Sequence, residues 1–195
     1  MKTRVEIKNL TPEKIEKSEV LRYLKAESET GIESLLKQCI AEAEKCLKYR
    51  VCFIETDLKI SENVCDFDVF SIASKDLAKC LKNSKKAIIF AATIGVEIDR
   101  LIIKNMSISP AKAVIFDALG SERIEALCDT FCQQIKAEKN AEITPRFSAG
   151  YGDLPLKFQR EIFKILGCEK SIGLTLNESL IMSPNKSVTA IFGIK

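Results

Sequence analysis

KAIIFAAT, residues 86–93, is the stretch whose reading decides the fold. A single lysine opens a short, unbroken apolar run, and it reads as a buried strand. Downstream, VEIDRLIIKN (96–105) returns to helical spacing. Ser109-Pro110 then supplies an N-cap followed by proline at the first helical position, and a helix runs from there unbroken to about Asn140. Upstream, residues 74–83 form a helix opened by Ser74, and RVCFIETDLKI (50–60) alternates in the manner of a half-buried strand. Before that, residues 29–48 carry Ile32, Leu35, Leu36, Cys39, Ile40, Ala43 and Leu47 at helical spacing, and SEVLRYLK (18–25) reads as a short helix. Beyond the long helix, Asp153 is placed to cap a helix over 155–166, with Gly167 as its C-terminal stop. The tail reads as a strand near 174–182, a turn at Ser183-Pro184-Asn185 and a strand at 187–194. Strands and helices are interspersed without a βαβ rhythm. The expected class is therefore α+β, a mainly antiparallel twisted sheet flanked by helices.

The 195 residues are most simply one domain, 1–195, long enough to bury a substantial core. Thirty basic and 27 acidic residues, well mixed, give a net charge of +3 and no basic block, so nucleic acid is not an expected partner. The longest apolar run, Ala87 to Val96, is half the length of a membrane span. The opening MKTRVEIKNL alternates charge and lacks the apolar core of a signal peptide, so a cytoplasmic protein is expected, with no membrane partner.

Eight cysteines are present, at 39, 46, 52, 65, 80, 128, 132 and 168, without a Cys-x-x-Cys pair. Most lie in apolar segments, where a free thiol packs as a small hydrophobe. Cys128 and Cys132 share a helix face, but no second pair completes a metal site. Histidine is absent altogether, which removes imidazole general acid/base catalysis, His-containing triads and imidazole ligation. If such a chain works on a small molecule, it works by binding and positioning it.

RFSAGYGDLP (146–155) holds the chemistry-bearing residues. Arg146 offers a rigid fork of donors suited to a carboxylate or phosphate. Ser148, Ala149, Gly150 and Gly152 leave the backbone open to a ligand, and Tyr151 adds a flat apolar face with a hydroxyl at its tip. Together they can clamp a molecule with a carboxylate, a polar middle and a ring. A surface turn whose arginine pairs with an acid of the same chain explains the same residues and is, on chemistry alone, the commoner arrangement. The glycines lack the third member of a dinucleotide fingerprint, and no P-loop lysine follows.

On the long helix, Phe116, Ile124, Leu127, Phe131 and Ile135 make an apolar stripe that reads as core. Beside it, Ala118, Ser121, Glu125, Cys128 and Cys132 form a row of small residues with one carboxylate. Glu125 either faces whatever fills the gap or reaches solvent from the flank.

From Arg146 onward the chain resembles the activation domain of cobalamin-dependent methionine synthase. That family carries Arg-Pro-x-Pro-Gly-Tyr, met here by Arg146, Gly150 and Tyr151. Its later run Leu-x-Glu-Ser-x-x-Met-x-Pro-x-x-Ser-Val is met by Leu176, Glu178, Ser179, Met182, Pro184, Ser187 and Val188. ALGSERIEA (118–126) looks like the family's helix segment with an alanine-leucine pair and a glutamate, which falls on Glu125. Phe147 and Ala149 replace both motif prolines, and the first half of the chain has no residue-by-residue match.

The resemblance, over residues 118–193, implies a free-standing version of that domain with S-adenosylmethionine as its ligand. Arg146 would take the ligand's carboxylate and Ser148, Ala149 and Gly150 would lie along the adenosyl part. Tyr151 would pack against the ligand, and Glu125 would accept from its ammonium or ribose or balance the sulfonium. The implied partners are a cobalamin-binding methionine synthase, or a related corrinoid protein, and a flavodoxin-type electron donor. The implied chemistry is reductive methylation of cob(II)alamin, with the cobalamin carried by the partner and no protein base required. Two alternatives stand beside it: a corrinoid-protein docking module without a competent S-adenosylmethionine site, and an unrelated small-molecule enzyme using the glycine loop for phosphate.

Overall fold

The computed structural model describes residues 4–195, so the first three residues of the MKTRVEIKNL segment lie outside it. The elements run β1 (Glu6–Asn9), α1 (Lys17–Leu24), α2 (Glu33–Ala43), β2 (Arg50–Ser61), β3 (Val64–Phe67), β4 (Phe70–Ala73) and α3 (Lys75–Cys80). They continue with β5 (Lys86–Thr93), α4 (Glu97–Ile108), α5 (Pro110–Lys139), α6 (Gln159–Leu166), α7 (Cys168–Ile172), β6 (Thr175–Leu176), β7 (Met182–Ser183) and β8 (Ser187–Ile194). Every strand pairing is antiparallel. The main sheet has the order β4-β3-β2-β5-β8; β1 pairs with the first half of β2, and β3 with its second half. This is the α+β arrangement expected, an antiparallel sheet flanked by helices.

Helices cover both faces of the sheet, which is why β5 is buried at every position after Lys86. On one face Val51, Phe53, Ile88, Phe90, Ala92, Ala190 and Phe192 meet α1, α2, α4 and α5. On the other, Cys52, Ile54, Ala87, Ile89, Ala91 and Ile191 meet α3, α6, α7 and the segment from Phe147 to Phe158. Alternate side chains of a strand point to opposite faces, so one continuous apolar strand feeds both cores. The same two-sided cover corrects the reading of β2, which is buried on both faces over Val51–Ile54 rather than half-buried.

The apolar stripe of α5 is fully engaged. Phe131 packs its ring 5.1 Å from Phe53, 5.1 Å from Phe90 and 6.1 Å from Phe192, one residue from each of β2, β5 and β8. Burying such a ring is worth about 1.5–3 kcal/mol from transfer alone.

Several local expectations are corrected. The helix expected over 29–48 is α2 alone, and the last segment, from Glu44, is turn and coil before β2. The strand expected near 174–182 is a small hairpin, β6 with β7, joined through Leu180 at φ 63°. Ser109 precedes Pro110 at the start of α5 without making a side-chain cap bond. All eight cysteines are free, with Cys39, Cys52, Cys65, Cys128 and Cys168 buried.

Candidate functional site

The loop after α5 is laid down as an irregular edge on β8. Phe147 exchanges both backbone bonds with Ile191 at 2.8 and 2.9 Å, and the Thr144 N–H donates to the Gly193 carbonyl at 2.9 Å. Strand-like alternation then separates the side chains. Phe147 and Ala149 enter the core beneath α6, while Arg146 turns to the flank of α5. There its Nη2 lies 2.8 Å from Glu125 Oε2 and 3.0 Å from Asp129 Oδ1. Its Nη1 is buried with no hydrogen-bond partner, an open donor in a place where an unpaired one costs free energy.

The electrostatics of this corner are set by burial and charge together. Burial works against the Arg146 charge, but the acidic groups around it, Asp129 and Glu125 with the thiols of Cys128 and Cys132, outweigh it and raise its pKa. The same burial pushes the Cys132 thiol up to about 11 and the Cys128 thiol higher still. Neither is a nucleophile near neutral pH. One turn earlier on α5, Lys186 Nζ sits 2.8 Å from Asp117 Oδ1 and 2.9 Å from Ser121 Oγ. Its stem crosses Gly120, where a Cβ would come within 2.9 Å of Lys186 Cγ. This side of α5, at Gly120, Ser121 and Glu125, is thus met by two basic side chains, Lys186 from the turn before β8 and Arg146 from the loop after α5.

Past Arg146 the loop tightens. Gly150 has φ +88°, its N–H donates to the Leu154 carbonyl at 2.9 Å, and the Tyr151 N–H donates to the Ser148 carbonyl at 3.2 Å. The Gly150 N–H and the Ser148 carbonyl, expected to be open to a ligand, are spent inside the loop. Ala149 puts its methyl in the core, while Tyr151 is 70% exposed, its ring 5.5 Å from that of Phe147. Asp153 does not cap the helix that follows, which begins as a 3-10 turn at Leu156–Phe158 before α6. It caps α3 instead, accepting from the Ser74 hydroxyl and from the backbone N–H of Lys75 at 2.7 Å.

Of the residues singled out from sequence, Arg146 and Glu125 are in direct contact. Ser148, Ala149, Gly150 and Tyr151 belong to one tight turn beyond them, with Tyr151 projecting outward. The second matched block builds the β6–β7 hairpin and the entry into β8, where Ser187 Oγ bonds Thr93 Oγ1 at 2.9 Å and the Pro184 carbonyl at 2.8 Å. Sequence reasoning missed Asp129, although it stands four residues after Glu125 and so on the same helix face. Lys186 gave no such signal, because its partners lie 65 and 69 positions away. Open clefts of about 500 Å³ beside Arg160, Phe163 and Leu174, and of about 320 Å³ beside Lys48, Arg50 and Thr93, do not include Arg146. Among the described residues, no group of three or more Cys, Asp or Glu side chains is placed to hold a metal ion, and none of their helices is long and apolar enough to cross a membrane.

No family model matches the chain, and no curated protein does. Among solved structures, the crystal structure of the MetH reactivation domain bound to AdoHcy aligns with a TM-score of 0.72. The alignment covers 97% of this chain and 78% of that one, at 16% sequence identity. The likeness is one of fold: this chain adopts the architecture of that reactivation domain along nearly its whole length.

Proposed function

We propose that the chain binds S-adenosylmethionine at the Arg146–Glu125 corner. It would serve as a free-standing, cytoplasmic reactivation module for a cobalamin-dependent methionine synthase or related corrinoid protein. The observation that carries the reading is the buried, unpartnered Arg146 Nη1 beside Glu125, on a fold whose solved neighbour holds AdoHcy. Arg146 holds the ligand's carboxylate, Glu125 receives its ammonium, and the exposed Tyr151 ring covers it from outside. Ser148, Ala149 and Gly150 contribute backbone rather than side chains to the adenosyl part. The cobalamin carried by the partner supplies the nucleophile that takes the methyl group, with its electron from a flavodoxin-type donor. The chain's own contribution is orientation, which is worth roughly 7–11 kcal/mol in a two-reactant step and needs no histidine.

One observation favours a second reading, a docking module without a competent S-adenosylmethionine site. Arg146 Nη2 already meets two carboxylates of its own chain, and the Gly150 N–H is bonded to Leu154. Calorimetric titration with S-adenosylmethionine and S-adenosylhomocysteine separates the two. Saturable binding to one site supports the first reading. No binding at millimolar ligand, with retained affinity for a corrinoid protein, supports the second.

A further inference from the structure

Near the end of the chain α6, α7 and β6 enclose an open cleft of about 500 Å³. α6 ends at Gly167 (φ 54°) and α7 at Gly173 (φ 72°), and these left-handed turns fold the three segments round one space. The floor is apolar: Leu174 is fully buried, and Phe163 and Leu176 are half-buried. The rim is basic. Arg160 and Lys164 stand one turn apart on α6 and Lys170 comes from α7, all three exposed, against the single carboxylate of Glu169. Glu161, the acid of α6, lies outside the cleft. Among the described residues, no carboxylate pairs with any of the three cations. Arg160 Nη2 donates to the Glu178 carbonyl at 2.9 Å, which ties the guanidinium to the hairpin and leaves its charge unmatched.

We propose that this cleft is a docking groove for an acidic amphipathic helix of a partner protein. Side chains four apart on a helix lie about 5–6 Å from each other, so Arg160 and Lys164 match carboxylates at that spacing on a second helix. The apolar side chains of that helix rest on Phe163, Leu174 and Leu176. A free anion gains nothing from such a floor, whereas an amphipathic segment buries its own apolar face there. The groove is separate from the Arg146 corner and serves whichever ligand that corner takes.

The test is fluorescence anisotropy with a labelled synthetic helix carrying Leu and Glu at four-residue spacing, titrated with the full chain. Exposed ion pairs contribute modestly one by one, so reversing two cations together, Lys164→Glu with Lys170→Glu, should weaken the peptide by about tenfold. Lys104→Glu, an exposed site on α4, should leave binding unchanged, and replacing every Leu of the peptide by Ser should abolish it. Thermal melts of parent and variants should superimpose; if the reversed variant melts lower, Lys164→Gln with Lys170→Gln should show a smaller loss in the same direction. Equal weakening by Lys104→Glu would show a general field of charge and overturn the groove. Equal binding of the Ser peptide, or displacement by inorganic phosphate beyond that by chloride at the same ionic strength, would make it a small-anion site and overturn it too. No saturable binding of the Leu peptide defeats the proposal outright, and leaves the S-adenosylmethionine reading untouched.

Discussion

Asp153 accepts the backbone N–H of Lys75 at 2.7 Å across 78 residues of sequence. The contact is reciprocal: the Asp153 N–H donates to Asp76 Oδ2 at 3.2 Å, and Asp153 also takes the Ser74 hydroxyl. Between them Gly152 has φ +55°, and a Cβ there would lie 2.5 Å from Asp76 Oδ2. The loop carrying Tyr151 is thus pinned to α3 at one end and to β8 through Phe147 at the other. Its shape does not depend on the prolines that the methionine synthase motif carries.

The Asp153 contacts predict a pH signature. The Ser74 hydroxyl, helped by the Lys75 and Asp76 amides, holds the Asp153 carboxyl below its ordinary value of 3.8. A depressed carboxyl stabilises the fold above its unfolded pKa and loses that contribution as pH falls through the folded one. Asp153→Asn should therefore melt lower than the parent at neutral pH, and the gap should close as pH drops below about 3.8. Melting curves of both proteins across that range test this; a gap that persists in acid would show that the charge is not what matters.

Arg146→Ala should cost the ligand far more than it costs the fold. Truncating one side of a partly desolvated charge pair typically costs about 2–5 kcal/mol, so S-adenosylmethionine should bind roughly 30- to 3,000-fold more weakly. Lysine should not restore it fully, since a point charge cannot make two parallel bonds. The fold should change little, because Glu125 and Asp129 are exposed enough to be resolvated. Direct titration and melts of both variants decide the matter. Binding within about threefold of the parent, under about 0.7 kcal/mol, would make Arg146 a turn residue only.

Phe147 and Tyr151 are neighbours in one motif with opposite fates. Phe147 is 6% exposed and Tyr151 70%. Phe147→Ala should cost about 3–5 kcal/mol of stability, the usual range for a buried aromatic. Tyr151→Ala should leave the denaturation midpoint alone and weaken S-adenosylmethionine. Urea unfolding with parallel titration separates them; a stability loss for Tyr151→Ala equal to that for Phe147→Ala would put the tyrosine in the core.

Much of this fold was legible wherever the hydrophobic period alone decides structure. β5 and β8 coincide with the apolar runs, and α5 ends at Lys139, one residue before the expected stop at Asn140. Gly167 terminates α6 in the left-handed conformation that such a stop requires. The short strands β1, β3 and β4 were not legible. Each has four residues, and β1 buries none of them completely, so its pairing with β2 rather than its own pattern makes it a strand. Asp153 failed for a related reason. Its local setting looks like a cap for the next helix, and only the folded chain brings the start of α3 to it. At the candidate site, residue types were readable but not which groups they already satisfy, because the Arg146 partners sit 17 and 21 positions upstream on another element.

Away from that corner, α5 carries a charge pair whose role is to fasten the chain's first quarter. Glu122 and Arg123 pair with side chains each only 4% exposed. Arg123 Nη1 donates to the Glu13 carbonyl at 2.7 Å, and Glu122 Oε1 accepts the Glu16 N–H at 3.2 Å. The pair thus clamps the segment entering α1 onto the long helix. Burial works against the Arg123 charge, but Glu122 outweighs it and its pKa is raised, so the guanidinium stays protonated throughout. Glu122→Ala leaves that charge buried and without its carboxylate, a loss of about 3–5 kcal/mol for pairs of this kind. Adding Arg123→Met should recover part of the loss, since an apolar side chain has no charge to strand. Urea unfolding of the parent, the single and the double variant measures both steps. If Glu122→Ala costs less than about 1 kcal/mol, the range of exposed pairs, water reaches Arg123 and the segment is held by its apolar contacts, Ile15 and Val20 among them.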